Sequence, residues 1–146
     1  MKTEVEAAFA EMLDISKDID KAVLFVPGEV YASNFPAEAH AALLGQAEEL
    51  VVLGDARAAE MGSEPLSQMV LETPEGFVFL ARETVPDGMM IMVTGKKNSR
   101  VGLVLYDLKT CLRDAREALA GAGAGEVAEA GAESESPGKP EKGKEK

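Results

Sequence analysis

The sequence has no tryptophan, one cysteine, one histidine and little aromatic content, 5% of its 146 residues. The lone Cys111 excludes an intramolecular disulfide framework and any cysteine-rich zinc site. No apolar run approaches the roughly 20 residues that span a bilayer. The opening Met1-Lys2-Thr3-Glu4 leads into an amphipathic pattern with acids at positions 4, 6 and 11, without the basic and apolar regions of a secretory signal. The expected location is the cytoplasm. Basic charge is also short, with 15 Lys and Arg against 26 Asp and Glu, a net charge of −11. The stretch from Gly121, with six Glu and four Lys, carries −2, which leaves −9 on the rest. Such a surface repels phosphate backbones and anionic lipid, so neither nucleic acid nor membrane insertion is expected. A protein partner fits it better.

What is present is globular: 46% hydrophobic and 28% charged residues, of a length that suits one domain. Residues 121–146 are nearly all Gly, Ala, Glu, Lys, Ser and Pro. They cannot bury enough apolar surface to offset chain entropy. The division expected is a domain over 1–120 and a disordered tail over 121–146.

Thr3 with Glu6 three residues on has capping-box spacing for a first helix. Val5, Phe9, Met12 and Ile15 or Ser16 give that helix its apolar face. Residues 21–26 are apolar without alternation from Ala22, a strand covered on both faces. Pro27-Gly28 sets a type II turn into a short strand over 30–33. Pro36 precedes a long helix over 37–61, free of proline and rich in Ala, Leu and Glu. Leu43, Leu44, Ala47, Leu50, Val51, Gly54, Ala58 and Met61 share an arc of roughly 140° on it. Val52 and Leu53 fall outside that arc, among Glu48, Glu49, Asp55 and Glu60. They are either scattered exposed residues or part of a second buried surface.

Gly62 and Pro65 end this helix. Strands over 66–73, 77–85 and 89–94, joined by tight turns, form an antiparallel meander. Residues 101–106 have strand-like propensity. Even so, Val101, Leu105, Leu108, Leu112, Ala115 and Leu119 step by four, three, four, three and four, so a helix is expected over 98–120. The resulting fold class is α+β: α-β-β-α-β-β-β-α, a five-stranded antiparallel sheet with helices on both faces.

Motifs for chemistry are mostly absent. Thr94-Gly95-Lys96-Lys97 has a Gly-Lys pair after a strand. A phosphate loop also needs glycine where Met90 stands and Ser or Thr where Lys97 stands. Gly121, Gly123 and Gly125 follow no strand and make no dinucleotide fingerprint. His40 and Cys111 belong to different helices, and structural roles are expected for both. Met69, Met89, Met90 and Met92 lie on neighbouring strands, as core filling or as an adaptable docking patch. No acid pair has metal or acid/base spacing. No cofactor is expected.

This order of elements and its local texture resemble the Roadblock/dynein-light-chain domains. The resemblance is carried by the hairpin from Ala22 to Ser33 and the central helix with Leu43, Leu50 and Gly54. The segments Phe77 to Ala81 and Met90 to Val93 add to it, as does Val101-Gly102-Leu103-Val104 opening the last helix. It covers residues 3–120. Pro27-Gly28 departs from it, being tighter than the Asp- or Gly-rich loop of the family. The resemblance implies a profilin-like sandwich, similar to the prokaryotic small-GTPase regulators of the gliding-motility type. It further implies a homodimer, or a heterodimer with a related domain, and no catalytic residues. The partner implied is a small Ras-like GTPase, whose hydrolysis is stimulated without an arginine finger. The implied dimer surface uses Val52, Leu53, Leu66, Gln68, Met69, Val70 and Leu71. The GTPase-facing set is Glu48, Glu49, Val52 and Asp55. Two alternatives stand beside it: a small-ligand sensor or enzyme on a PAS- or GAF-like sheet, and a purely structural dimeric light-chain or scaffold subunit.

Overall fold

A computed structural model describes residues 2–131 of the chain. The order is α1 (Lys2–Ile15), β1 (Ile19–Val26), β2 (Glu29–Ser33), a short 3-10 turn (Ala37–Ala39), α2 (His40–Glu60), β3 (Gln68–Thr73), β4 (Gly76–Arg82), β5 (Met90–Gly95) and α3 (Val101–Gly131). The five strands form one sheet in the order β2-β1-β5-β4-β3, every pair antiparallel. The expected α+β architecture is therefore the one found.

The sheet separates two cores. On one face Val5, Phe9 and Met12 of α1 and Val104, Leu108, Leu112 and Ala115 of α3 cover Ala22, Leu24, Phe79, Ala81, Ile91 and Val93. On the other face α2 lies alone, with Ala47 and Val51 over Val23, Phe25, Leu80, Met90 and Met92. The alternation of β1 and β5 between these cores explains their uninterrupted apolar sequence: each face has its own helical layer. Met89, Met90 and Met92 are buried, so the strand methionines fill core.

Several boundaries differ from those expected. Thr3 lies inside α1, which already includes Lys2, so it is not the cap. β1 begins earlier, at Ile19, beyond a bulge in its pairing with β5. β3 begins at Gln68, leaving Leu66 before the strand. β4 stops at Arg82 rather than at position 85. There Glu83 bends the chain: its backbone N–H donates to the Met89 carbonyl and its carboxylate accepts from the Met89 N–H, at 2.9 and 2.8 Å. Met61 falls just beyond α2 and is 74% exposed, so it leaves the core stripe. Pro27-Gly28 makes the two-residue turn between β1 and β2, with Gly28 at φ +84°. α3 runs past Ala120, the expected end of the domain, to Gly131, through a stretch where Ala and Glu retain strong helix propensity. The rest of the expected tail, 132–146, lies outside the described residues.

Candidate functional site: the outer face of α2 and the edge of β3

One helix cannot cover five strands. In α2 only Ala47 and Val51 are fully buried, while Leu43, Leu44, Leu50 and Gly54 are half-buried. Val52 and Leu53 lie outside the buried stripe of α2 and are 70% and 69% exposed. Two large aliphatic side chains side by side on one outward turn form an apolar spot. Glu48 and Glu49, one turn earlier and also exposed, give it an acidic border.

Beside α2 the sheet ends in β3, which pairs only with β4. Its other edge presents unpaired backbone groups. Edge strands are normally blunted by lysine, proline or a bulge. Gln68–Thr73 has no lysine, proline or bulge and one charged residue, the exposed Glu72 near its end, and its register with β4 is unbroken from Gln68↔Ala81 to Thr73↔Gly76. Leu71, on the α2 side of this strand, is exposed.

Between α2 and the sheet runs an open groove of about 580 Å³. Its walls are apolar, built by Leu43, Leu50 and Leu53 from α2 and Leu71, Val78 and Met92 from the strands. Leu53 and Leu71 thus belong at once to the groove, to the exposed face of α2 and to the sheet edge.

The residues expected at a dimer surface are brought together in part. Val52, Leu53, Gln68, Met69, Val70 and Leu71 all lie on α2 or β3. Leu66 and Met69 are turned inward, against the core under α2, and Val70 packs toward the opposite core. Of the residues expected to face a GTPase, Glu48, Glu49 and Val52 share the open face of α2. Asp55 does not stand free with them. Its Oδ1 accepts from the Leu66 N–H at 2.8 Å and from Arg82 Nη2 at 2.7 Å, and Oδ2 accepts from the same nitrogen at 2.9 Å. Position on the helix alone suggested an open acid. The signal that could have separated it from Glu48 and Glu49 is Arg82, a half-buried arginine on β4.

The arginines are all engaged. Arg57 pairs with Glu60, Arg82 with Asp55, Arg100 with Asp18, Arg113 with Asp114 and Arg116 with Glu83. Arg100, immediately before α3, donates to Asp18 Oδ2 from its backbone nitrogen at 2.9 Å and from Nε at 3.1 Å. These two bonds hold the Asp18 carboxyl below its ordinary value against an opposing cost of burial, with lesser help from the charges of Arg100 and Lys96. Lys96 itself turns to the Lys17 carbonyl and to Asp20, so the Gly95-Lys96 pair makes a strand-to-loop clasp.

Cys111 and His40 do not meet. Cys111 is buried between α1 and α3, on one face of the sheet, and His40 opens α2 on the other. Burial pushes the Cys111 thiol up to about 12, with a smaller contribution from Asp114. A thiol in that state is a poor nucleophile. Among the described residues no three His, Cys, Asp or Glu side chains are grouped to hold a metal, and no helix is long and apolar enough to cross a membrane.

No protein-family profile matches the sequence, and no curated protein matches it. Solved structures do. MglB of Myxococcus xanthus superposes with a TM-score of 0.69 at 13% identity, over 82% of this chain and 90% of that one. A Roadblock/LC7 domain from Streptomyces avermitilis gives 0.68 at 16% identity, over 78% and 96%. The gliding protein MglB of Thermus thermophilus gives 0.64 at 16% identity, over 80% and 91%. The architecture of this chain is that of the Roadblock/LC7 fold.

Proposed function

We propose that this chain is a dimeric, non-catalytic regulator or platform for a small Ras-like GTPase, working in the cytoplasm. The observation that carries the proposal is the exposure of Val52 and Leu53 beside an unblocked β3 edge. An apolar helix face and an open strand side by side suit isologous pairing, in which β3 meets its own copy and the two α2 helices come together. A related domain offering the same edge would serve as a heterodimeric partner. The surface left on α2, with Glu48 and Glu49 around an apolar centre, then suits a partner with a basic rim.

The five ion-paired arginines favour action on the partner's own switch segments over donation of a guanidinium. The groove under α2 is the feature that would favour a small-ligand sensor. Its walls offer little to orient a ligand, and Leu53 and Leu71 are better used against a second copy.

The test has two arms. Sedimentation of the full chain at micromolar concentration should give a dimer. Immobilised protein exposed to lysate of the source cell should retain a small GTPase, whose hydrolysis rate then changes when this chain is added to the purified pair. A monomer defeats the dimer reading. Failure to retain a GTPase, or retention with an unchanged nucleotide cycle, leaves the structural-subunit reading in its place.

A further inference from the structure

We propose that Asp55 and Arg82 form the lock that sets edge strand β3 at the right height and register, relative to α2, for a second copy of this chain. The inference rests on the dimer reading above. It concerns residues that do not themselves face the partner.

The connection from α2 to β3 covers residues 61–67 and is exposed from Met61 to Pro65. Leu66 is where it is tied down, and it is held by both of its backbone polar groups. The Leu66 N–H donates to Asp55 Oδ1 at 2.8 Å, and the Leu66 carbonyl accepts from Arg82 Nε at 2.6 Å. Arg82 Nη2 then closes the ring onto the Asp55 carboxylate. Arg82 also donates its backbone N–H to the Ser67 carbonyl at 3.0 Å, which continues the β3–β4 ladder by one step. The Arg82 side chain is 15% exposed and that of Asp55 37%, so the ring is sheltered on its Arg82 side and open to solvent on its Asp55 side.

The same point of α2 receives the side chain of Leu66. Gly54, next to Asp55, has no Cβ. One placed there would come within 2.8 Å of Leu66 Cδ2 and 3.3 Å of Met69 Cε. The strand entry is therefore fixed twice, through its backbone by Asp55 and Arg82 and through its side chains by the bare backbone of Gly54. Beyond this anchor β3 has only β4 beside it in the sheet. Without the lock, α2 and β3 would be joined only by the exposed loop and the packing of Leu66 and Met69 under α2, and the spacing of Leu53 on one and Leu71 on the other would loosen. A self-complementary surface needs that spacing, because ordering it on association would subtract from affinity.

The test uses the full chain with Asp55→Asn and, separately, Arg82→Lys. Asparagine can still accept from Leu66 but loses the charge. Lysine keeps the charge but cannot span Leu66 and Asp55 together. Each variant should raise the dimer dissociation constant by about tenfold or more, measured by sedimentation. In the dissociated state, hydrogen exchange at residues 68–71 should accelerate while that at residues 22–25 stays as in the unaltered chain. A purely structural pair would speed exchange in both strands. If the unaltered chain is a monomer, the dimer reading itself fails and takes this inference with it. If the unaltered chain dimerises and both variants dimerise equally tightly, the lock alone is overturned. Should Asp55→Asn fail to fold, Arg82→Lys decides.

Discussion

Arg116 on α3 grips Glu83 at the end of β4 with two nitrogens, Nε to Oε2 at 2.9 Å and Nη2 to Oε1 at 2.7 Å. Glu83 meanwhile closes the β4–β5 loop by accepting from the Met89 N–H. One carboxylate therefore joins the loop to the helix that covers the larger core. The hydrogen bond from Arg116, aided by that from Met89, holds the Glu83 carboxyl below its ordinary value against the cost of burial. Its folded value lies below its unfolded one. The stabilisation is present above the ordinary carboxylate value of 4.5 and is lost as pH falls below it. Urea midpoints should decline from about pH 5 downward. Glu83→Gln should lower the midpoint at neutral pH and flatten this acid limb, leaving the part that Asp18 supplies. An acid limb unchanged in the Gln variant would place the linkage elsewhere.

Gly76 and Gly28 both adopt positive φ, yet their substitutions should differ. Gly28, at φ +84°, faces open space. Alanine there meets only backbone strain, about 1 kcal/mol. Gly76, at φ +156°, opens β4 where a Cβ would collide with the carbonyl oxygen of Gly95. Neither group can move without breaking the β4–β5 ladder, in which Phe77 pairs with Gly95. Gly76→Ala should cost about 2–3 kcal/mol by chemical denaturation. Equal costs at the two positions would mean that the close approach relaxes more readily than its backbone partners allow.

Most of the architecture was legible in the sequence, and the reason is periodicity. The α3 residues Leu108, Leu112 and Ala115 repeat at helical spacing, and the structure buries all three. The two-sided apolar run from Ala22 to Phe25 reads as a central strand because it is one. The turn chemistry of Pro27-Gly28 fixed a hairpin without tertiary help. What failed were boundaries and pairings set by contacts distant in sequence. β4 ends at Arg82 because Glu83 turns to Met89 and to α3, and no local pattern announces that. Asp55 looked equivalent to Glu48 and Glu49 because helical position reports direction and not partners. Its engagement depends on Arg82, a residue of another strand. Val52 and Leu53, apolar residues on a polar face, are exposed in the single chain, as either reading of them requires.

Cys111 should be silent toward thiol reagents in the folded protein. It is buried, its Sγ lies 3.9 Å from the Ala8 carbonyl oxygen, and its thiol is pushed up to about 12. At about pH 8 the labelling rate should track the opening of α1 from α3 and rise steeply in denaturant. Labelling at the rate of a free thiol in native buffer would contradict the packing of these two helices.

The domain's end is open to a direct trial. Truncation after Ala120 removes the part of α3 beyond the core residues Leu112 and Ala115 and the chain that follows. The melting temperature should be essentially unchanged. A loss of several degrees would extend the cooperative unit past Ala120.

The two uses of α2 differ in which of its acids are free. Glu48 and Glu49 are exposed, with Val52 one turn on, whereas Asp55 is consumed by Arg82 and Leu66. Charge reversal at Glu48 and Glu49 should therefore weaken GTPase binding while leaving the fold and the dimer intact. The same change at Asp55 would break the ring around Leu66 and report on β3 instead. Because the acids are solvent-exposed, their contribution is screened over roughly 8 Å at physiological ionic strength. Binding of the unaltered chain should weaken as salt rises, chiefly through a slower association rate. The Glu48→Lys, Glu49→Lys double variant should bind weakly at low salt and show little further salt dependence. Surface plasmon resonance across a salt series reads both quantities. Normal binding by the double variant would remove this face from the interface. A different outcome bears on mechanism: if Arg100→Ala abolishes stimulated hydrolysis while binding persists, Arg100 must leave Asp18 to act on the nucleotide, and the finger-free reading falls.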